Sequence, residues 1–194
     1  MKKIEYVWRE LLYRTIEQRK PVFGQQELAA MLGLSSSTVN LALAPLRRLG
    51  AVTIGKRHSE VIDYEKILYH WANHRAFSHD IKASLHLDIP VREIEGRLPT
   101  GTIPTAYTAV HELFGEPPAD YGKVYCYHHD PQVILKRLTG DSSTGEPNLF
   151  ILHADPHLGS SVSLSQLFVD LWNLTDWYAK DFCNFVKAKI EEKL

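Results

Sequence analysis

Two short runs gather side chains that could bind a metal ion: YHHDP, with His128, His129 and Asp130, and HADPH, with His153, Asp155 and His157. Imidazole nitrogens and carboxylate oxygens are ligands that divalent ions take up. Each run ends a stretch that reads as a strand, GKVYCYHH in the first case and NLFILH in the second, with PQVILKRL between them as a short helix. If those strands are parallel, both runs reach the carboxyl edge of one sheet, where ligands of open α/β sheets bind. One reading is therefore a metal-dependent nuclease or phosphoesterase with His128, His129, His153, Asp155 and His157 around its ion. The plainer reading is that each strand ends at an Asp-Pro, which starts a turn.

Other catalytic signals are missing. The chain has no G-x-S-x-G, no G-x-x-x-x-G-K-[ST] and no G-x-G-x-x-G, so no hydrolase elbow, phosphate loop or dinucleotide fingerprint is expected, and no cofactor. The glycine in LPTGTIPT stands beside a helix start and could hold an anion, but it reads more simply as a turn. His70 and His74 are spaced i, i+4 with His79 nearby, yet no carboxylate or cysteine completes a ligand set, so they are expected at the surface. Cys126 and Cys183 stand far apart with no C-x-x-C spacing and are expected as small buried apolar groups.

A second constellation, SSSTVNLALAPLRRLG at residues 35–50, carries a different chemistry. Val39, Ala42, Leu43, Leu46 and Leu49 recur at helical spacing and predict a buried face. Ser36, Ser37, Thr38, Asn40 and Leu41 then fall on or near the opposite face. Hydroxyl and amide groups in such a position can reach base edges in a major groove, while Arg47 and Arg48 suit phosphates. These arginines also complement the negative end of the helix dipole, so a purely structural role is open to them. Ser35 or Ser36 can cap the helix, and Pro45 falls in its second half, after the turns that would face a groove.

The elements that must position these residues follow from periodicity. Ile4, Val7, Trp8, Leu11, Leu12 and Ile16 make a first helical stripe. GQQELAAMLGLS reads as a short helix from about Gln25 to Leu32, with Leu28, Ala29 and Leu32 inward, and a tight turn at Gly33. After Gly50, two short strands at about Val52 to Ile54 and Glu60 to Ile62 flank a polar tip containing Lys56 and Arg57, two further candidates for phosphate contact. DYEKILYHWANHRAF adds a helix with Ile67, Leu68, Trp71 and Ala72 inward.

Helix, turn, helix and basic hairpin in this order resemble the winged helix-turn-helix transcription regulators. Ser37-Thr38-Val39, Ala42-Leu43, Leu46 and Leu49-Gly50 stand where that class has its recurrent core. The resemblance covers about residues 4–63 and implies a DNA-binding regulator of double-stranded DNA. It departs at Leu41, where the class often has Arg or Lys, which weighs against strong direct reading of guanine. Winged helices also serve as protein-binding modules, so an interaction protein that never meets nucleic acid is a further alternative.

The rest reads as a second module. LHLDIPV suggests a strand, Thr102 a cap for the helix IPTAYTAVHELFG with Pro104 in its first turn, and SLSQLFVDLWNLTDWYAKDFCNFVKAKIEEKL two helices broken near Asn173. Leu174, Trp177, Tyr178, Phe182, Phe185 and Val186 form an apolar stripe there. The alternation of strands and helices predicts a small α/β sandwich. In its order of modules, and in AYTAVHELFG followed by DLWNLTDWYAKDF, the whole chain resembles the antitoxin regulators of abortive-infection type IV systems. That resemblance implies an N-terminal winged helix repressing its own operon and a C-terminal domain neutralising a toxin; it assigns no functional residue.

Charge supports the division. Net charge is -1, but residues 1–78 carry 12 Lys and Arg against 7 Asp and Glu, and residues 79–194 carry 10 against 16. A basic module joined to an acidic one suits a protein that meets a polyanion with one end. The expected fold is thus α+β: a winged helix-turn-helix DNA-binding domain at 1–78, then an α/β domain at 79–194 for dimerisation, ligand sensing or a partner protein. No apolar run approaches a membrane span, and a cytoplasmic homodimer without enzymatic activity is the expectation.

Overall fold

A computed structural model describes residues 1–55 and 58–194, and its backbone divides into two compact units. Unit 1 comprises Met1–Arg75 with Ser163–Val169 and Lys187–Leu194; unit 2 comprises Ala76–Val162 with Asp170–Val186. A single cut after residue 78 does not anticipate this interleaving. Polar contacts join the late segments to the N-terminal helices, beside an edge-on contact of Phe168 with Tyr69: Arg9 donates to Gln166 Oε1 at 3.0 Å, the Leu164 amide donates to Glu17 Oε1 at 2.9 Å, and Lys187 pairs with Glu65 at 2.9 Å. None of these polar contacts leaves a trace in hydrophobic periodicity.

Unit 1 begins with α1 (Lys3–Ile16), β1 (Val22–Phe23), α2 (Gln25–Met31) and α3 (Ser36–Arg48). The hairpin β2 (Val52–Ile54) and β3 (Ser59–Val61) follows, then α4 (Tyr64–His74). The strands form an antiparallel sheet in the order β1-β3-β2, with Phe23 opposite Ser59 and Thr53 opposite Glu60. Val7, Leu12, Leu28, Val39, Leu46, Ile67 and Trp71 are sealed in its core, as the helical stripes predict. Two stripe positions depart: Ile4 is only half-buried, and Leu49 lies just past the last helical residue of α3 and is 44% exposed. Helix α3 continues through Pro45, and the Trp8 indole donates to the Ala42 carbonyl at 2.9 Å. That bond ties α1 to α3 one residue beyond the Leu41 carbonyl, whose i+4 donor is lost to the proline.

Unit 2 holds β4 (Ile81–Leu85), α5 (Val91–Arg97), β5 (Ile103–Thr105), α6 (Ala106–Phe114), β6 (Val124–His128), α7 (Pro131–Leu138) and β7 (Leu149–His153). The chain ends with α8 (Leu164–Trp172) and α9 (Ala179–Glu191). Sheet order is β4-β7-β6-β5, with β6 and β7 parallel and both outer pairings antiparallel. Leu87, Ile94, Val124, Cys126, Ile134, Leu149 and Ile151 form one apolar cluster. The alternate positions carry aromatic rings, and Tyr125 stacks on Phe150 at 4.6 Å while Tyr107 meets Tyr125 and Phe182 edge-on. Strand β6 is therefore buried on both faces, one against aliphatic and one against aromatic side chains, whereas Lys82 and Ser84 of the edge strand β4 are exposed.

The mixed α+β architecture agrees with expectation, but local readings differ in three places. LHLDIPV is not a strand: β4 ends at its first residue, Leu85, and VREIEGR forms α5, a helix too short to show periodicity because only Ile94 is buried in it. Thr102 caps no helix; its hydroxyl donates to the Pro99 carbonyl, and Pro104 sits in β5 opposite Cys126. An edge strand tolerates that proline, which has no N–H to give. Trp177 is not on an apolar stripe, for it precedes α9 and is 82% exposed. Both cysteines are buried and free, and burial pushes each thiol up to about 12.

Candidate nucleic-acid interface

The start of α3 is set by a turn and a cap. Gly33, with φ of 59°, turns the chain after α2, and the Leu34 amide closes on the Ala29 carbonyl at 2.9 Å. Ser35 is then the N-cap residue: its extended backbone leads into the helix and its Oγ accepts from the Thr38 amide at 3.2 Å. Ser37 Oγ and Thr38 Oγ1 also lie 2.8 and 2.9 Å from the Ser35 oxygen. Three hydroxyls thus share one small network at the helix end.

This sorts the candidate base-reading residues. Ser37 and Thr38 are tied to the cap, whereas Ser36 and Asn40 are exposed with side chains outside that network. Leu41 and Ala44 extend the exposed strip, and Leu41 is 64% exposed. Arg47 and Arg48 stand in the last turn, exposed, and among the described residues neither joins an ion pair. No acidic residue occurs anywhere in α3.

The hairpin stands beside this face. The Gly55 amide donates to the His58 carbonyl at 3.1 Å, and a Cβ on Gly55 would lie 2.4 Å from that same oxygen, so only glycine fits. Lys56 and Arg57, the basic pair expected at the tip, lie outside the described residues. A groove of about 440 Å³ is lined by Phe23, Gln25, Gln26, Ser36, Asn40 and His58, among others. Gln25, Gln26 and His58 were not singled out from sequence. The paired glutamines at a helix start were the available signal, since polar residues there commonly face solvent or a ligand.

The histidine runs of unit 2 lie at the ends of neighbouring strands. Strands β6 and β7 are parallel, as the enzymatic reading required, with His128 opposite His153. Their ends are nonetheless spent on turns: His128 Nδ1 accepts from the Asp130 amide at 2.9 Å, Asp130 Oδ1 caps α7 through the Gln132 amide, and Asp155 Oδ1 accepts from the His157 amide. Among the described residues no three His, Cys, Asp or Glu side chains are gathered as a ligand set. His128, His129, His153, Asp155 and His157 therefore fit the Asp-Pro turn reading. The first part of LPTGTIPT is likewise a turn, with Gly101 at φ of 86°, and its IPT is β5.

His70 departs from the expectation of a surface histidine. Its ring packs edge-on against Trp8 at 4.7 Å and lies 4.1 Å from the His74 ring, and its Nε2 is buried with no hydrogen-bond partner among the described residues. Burial, with His74 and Arg48 nearby, lowers its pKa to about 4. Among the described residues, no helix is long and apolar enough to cross a membrane.

Comparison with curated proteins and with solved structures gives no match. The family model for the Crp-like helix-turn-helix domain matches residues 8–68, a span running from Trp8 in α1 to Leu68 in α4 and enclosing the capped helix, its exposed strip and the hairpin. Residues 8–68 are thus similar to the Crp-like helix-turn-helix domain, which supports a role in DNA-binding transcription regulation.

Proposed function

We propose that the protein is a DNA-binding transcription regulator whose α3 enters the major groove. The observation that carries this reading is the exposed, carboxylate-free strip of α3 within the matched domain, ending in Arg47 and Arg48, which have no ion pair among the described residues. In this reading Ser36 and Asn40 reach base edges directly, and Ser37 and Thr38 join them by exchanging their bonds to Ser35. Arg47, Arg48, Lys56 and Arg57 hold phosphates. The neutral Ser35 cap leaves the positive end of the helix dipole open toward the polyanion.

A single reading helix covers one half-site, so a homodimer on a two-fold operator is the natural working form. Unit 2 supplies dimerisation, effector sensing or a partner surface, and Trp172 and Trp177, 44% and 82% exposed, are its candidates for contact. A narrower version is an antitoxin-type autorepressor in the cytoplasm, with unit 2 neutralising a toxin; it rests on the module order and on the segments AYTAVHELFG and DLWNLTDWYAKDF.

The test is the affinity for random duplex as a function of salt. Wild-type affinity falls steeply as salt rises, and the Lys56→Ala, Arg57→Ala double variant flattens the log-log slope by up to about two. An affinity independent of salt contradicts the reading. An unchanged slope in the double variant removes the hairpin from it.

A further inference from the structure

The exposed face of α3 has an unusual composition for a surface helix. Ser36, Ser37, Asn40, Leu41 and Ala44 are all exposed, and none is charged. Outward helix faces of globular proteins ordinarily carry charged residues, and a lone exposed leucine is unremarkable. Here, however, the leucine stands in a charge-free strip beside the one exposed side-chain amide of the helix. Asn40 and Ala44 are one turn apart, as are Leu41 and Ala44, so the three make one continuous patch.

Each of these side chains has a matching base in a major groove. Asparagine bonds adenine through N6 and N7 together, and apolar side chains pack on the thymine C5-methyl, whereas guanine calls for Arg or Lys on its O6 and N7. The nearest such cations on the helix are Arg47 and Arg48; Arg47 is seven residues beyond Asn40, about 10 Å along the axis. That distance suits a flanking phosphate rather than the bases under Asn40.

Resting on the reading of α3 as a major-groove helix, we infer that the half-site beneath its N-terminal turns is A·T, with Asn40 bonding an adenine and Leu41, backed by Ala44, covering the methyl group of a neighbouring thymine. Specificity in this arrangement comes partly from desolvating a single methyl group, so it survives at salt concentrations that weaken the phosphate contacts.

Selection from a random duplex library with the full chain, at moderate salt, is the first arm of the test, and it returns a half-site with adjacent A·T pairs. Thymines in the selected duplex are then replaced one at a time by deoxyuridine, which lacks only the methyl group. At one or two positions this lowers wild-type affinity about fourfold, the value of one buried carbon. Leu41→Ala abolishes that penalty at the same position while leaving the others. Asn40→Ala reduces discrimination at the neighbouring adenine by roughly 5- to 150-fold. Both side chains are exposed, and circular dichroism checks that the variants remain folded.

Selection of G·C at these positions, a wild type indifferent to deoxyuridine, or a penalty that persists in Leu41→Ala each overturns the inference while leaving DNA binding itself intact. Failure to bind any duplex at low salt overturns the regulator reading, and this inference with it.

Discussion

Helix α3 of unit 1 and helix α7 of unit 2 end alike, with Arg47-Arg48 and Lys136-Arg137 in their last turns, but they begin differently. Asp130 caps α7 and places a carboxylate at the positive end of its dipole, which satisfies that end locally. Ser35 caps α3 through a neutral hydroxyl and no acidic residue follows in the first turn. The same contrast holds at larger scale: unit 1 carries 15 Lys and Arg against 9 Asp and Glu, and unit 2 carries 7 against 14. A basic tail alone does not mark a helix for a polyanion; what distinguishes α3 is that its opposite end is also free of negative charge.

The largest effect expected from breaking this comparison comes from the support of α3. Trp8→Ala removes a buried indole and its bond to the Ala42 carbonyl, costing about 3–5 kcal/mol in chemical denaturation, and duplex binding falls with it. Ile151→Ala in unit 2 costs about 2–5 kcal/mol but leaves the duplex affinity of the folded protein unchanged. Equal loss of affinity in both variants would erase the distinction between the units.

Replacing Arg47 and Arg48 together by Ala lowers the salt slope of duplex binding by up to about two, whereas the same change at Lys136 and Arg137 leaves it where it was. Binding titrations across a salt series read this directly. Ser35→Ala frays α3 and costs about 1 kcal/mol, measured by denaturation; Ser36→Ala, which removes no cap, stays within about 0.5 kcal/mol.

The smallest effect is on pH. The His70 pKa is lowered to about 4, so the folded chain resists a proton that the unfolded chain accepts near the ordinary value of 6.5. Stability is therefore full above about pH 6.5 and declines as pH falls from there toward 4. The ring is partly exposed and solvent screens part of the effect, so a fall in Tm of roughly 2–4 °C between pH 7.5 and pH 5 is expected. In His70→Phe that part of the decline disappears; an unchanged profile would show that other groups cause it.

Much of unit 1 was legible because its helices each bury one regular stripe: Val39, Ala42, Leu43 and Leu46 are spaced as a core-facing helix demands, and all are buried. Which serine caps α3 was not legible, since Ser35 and Ser36 are chemically equal and only the turn at Gly33 decides between them. Unit 2 was read less well for a related reason. Helix α5 and strand β5 are too short for a period to emerge, and Pro104 signals a helix start as readily as an edge strand. The histidine runs show the limit of residue type, which reports what could ligate but not that backbone amides at the strand ends bond His128 and Asp155. Conversely, Gln25, Gln26 and His58 come together only through the fold of the hairpin against α2 and α3.

The most direct test is to record backbone amide NMR spectra of the full chain while a short duplex from the library selection is added at moderate salt. The account predicts that the largest shift changes fall on residues 35–48 and on the β2–β3 hairpin, with the amides of β6, β7 and α7 little altered. Shifts centred on His128 to Gln132 and His153 to His157, with those of Ser36, Asn40 and Leu41 unmoved, would contradict it.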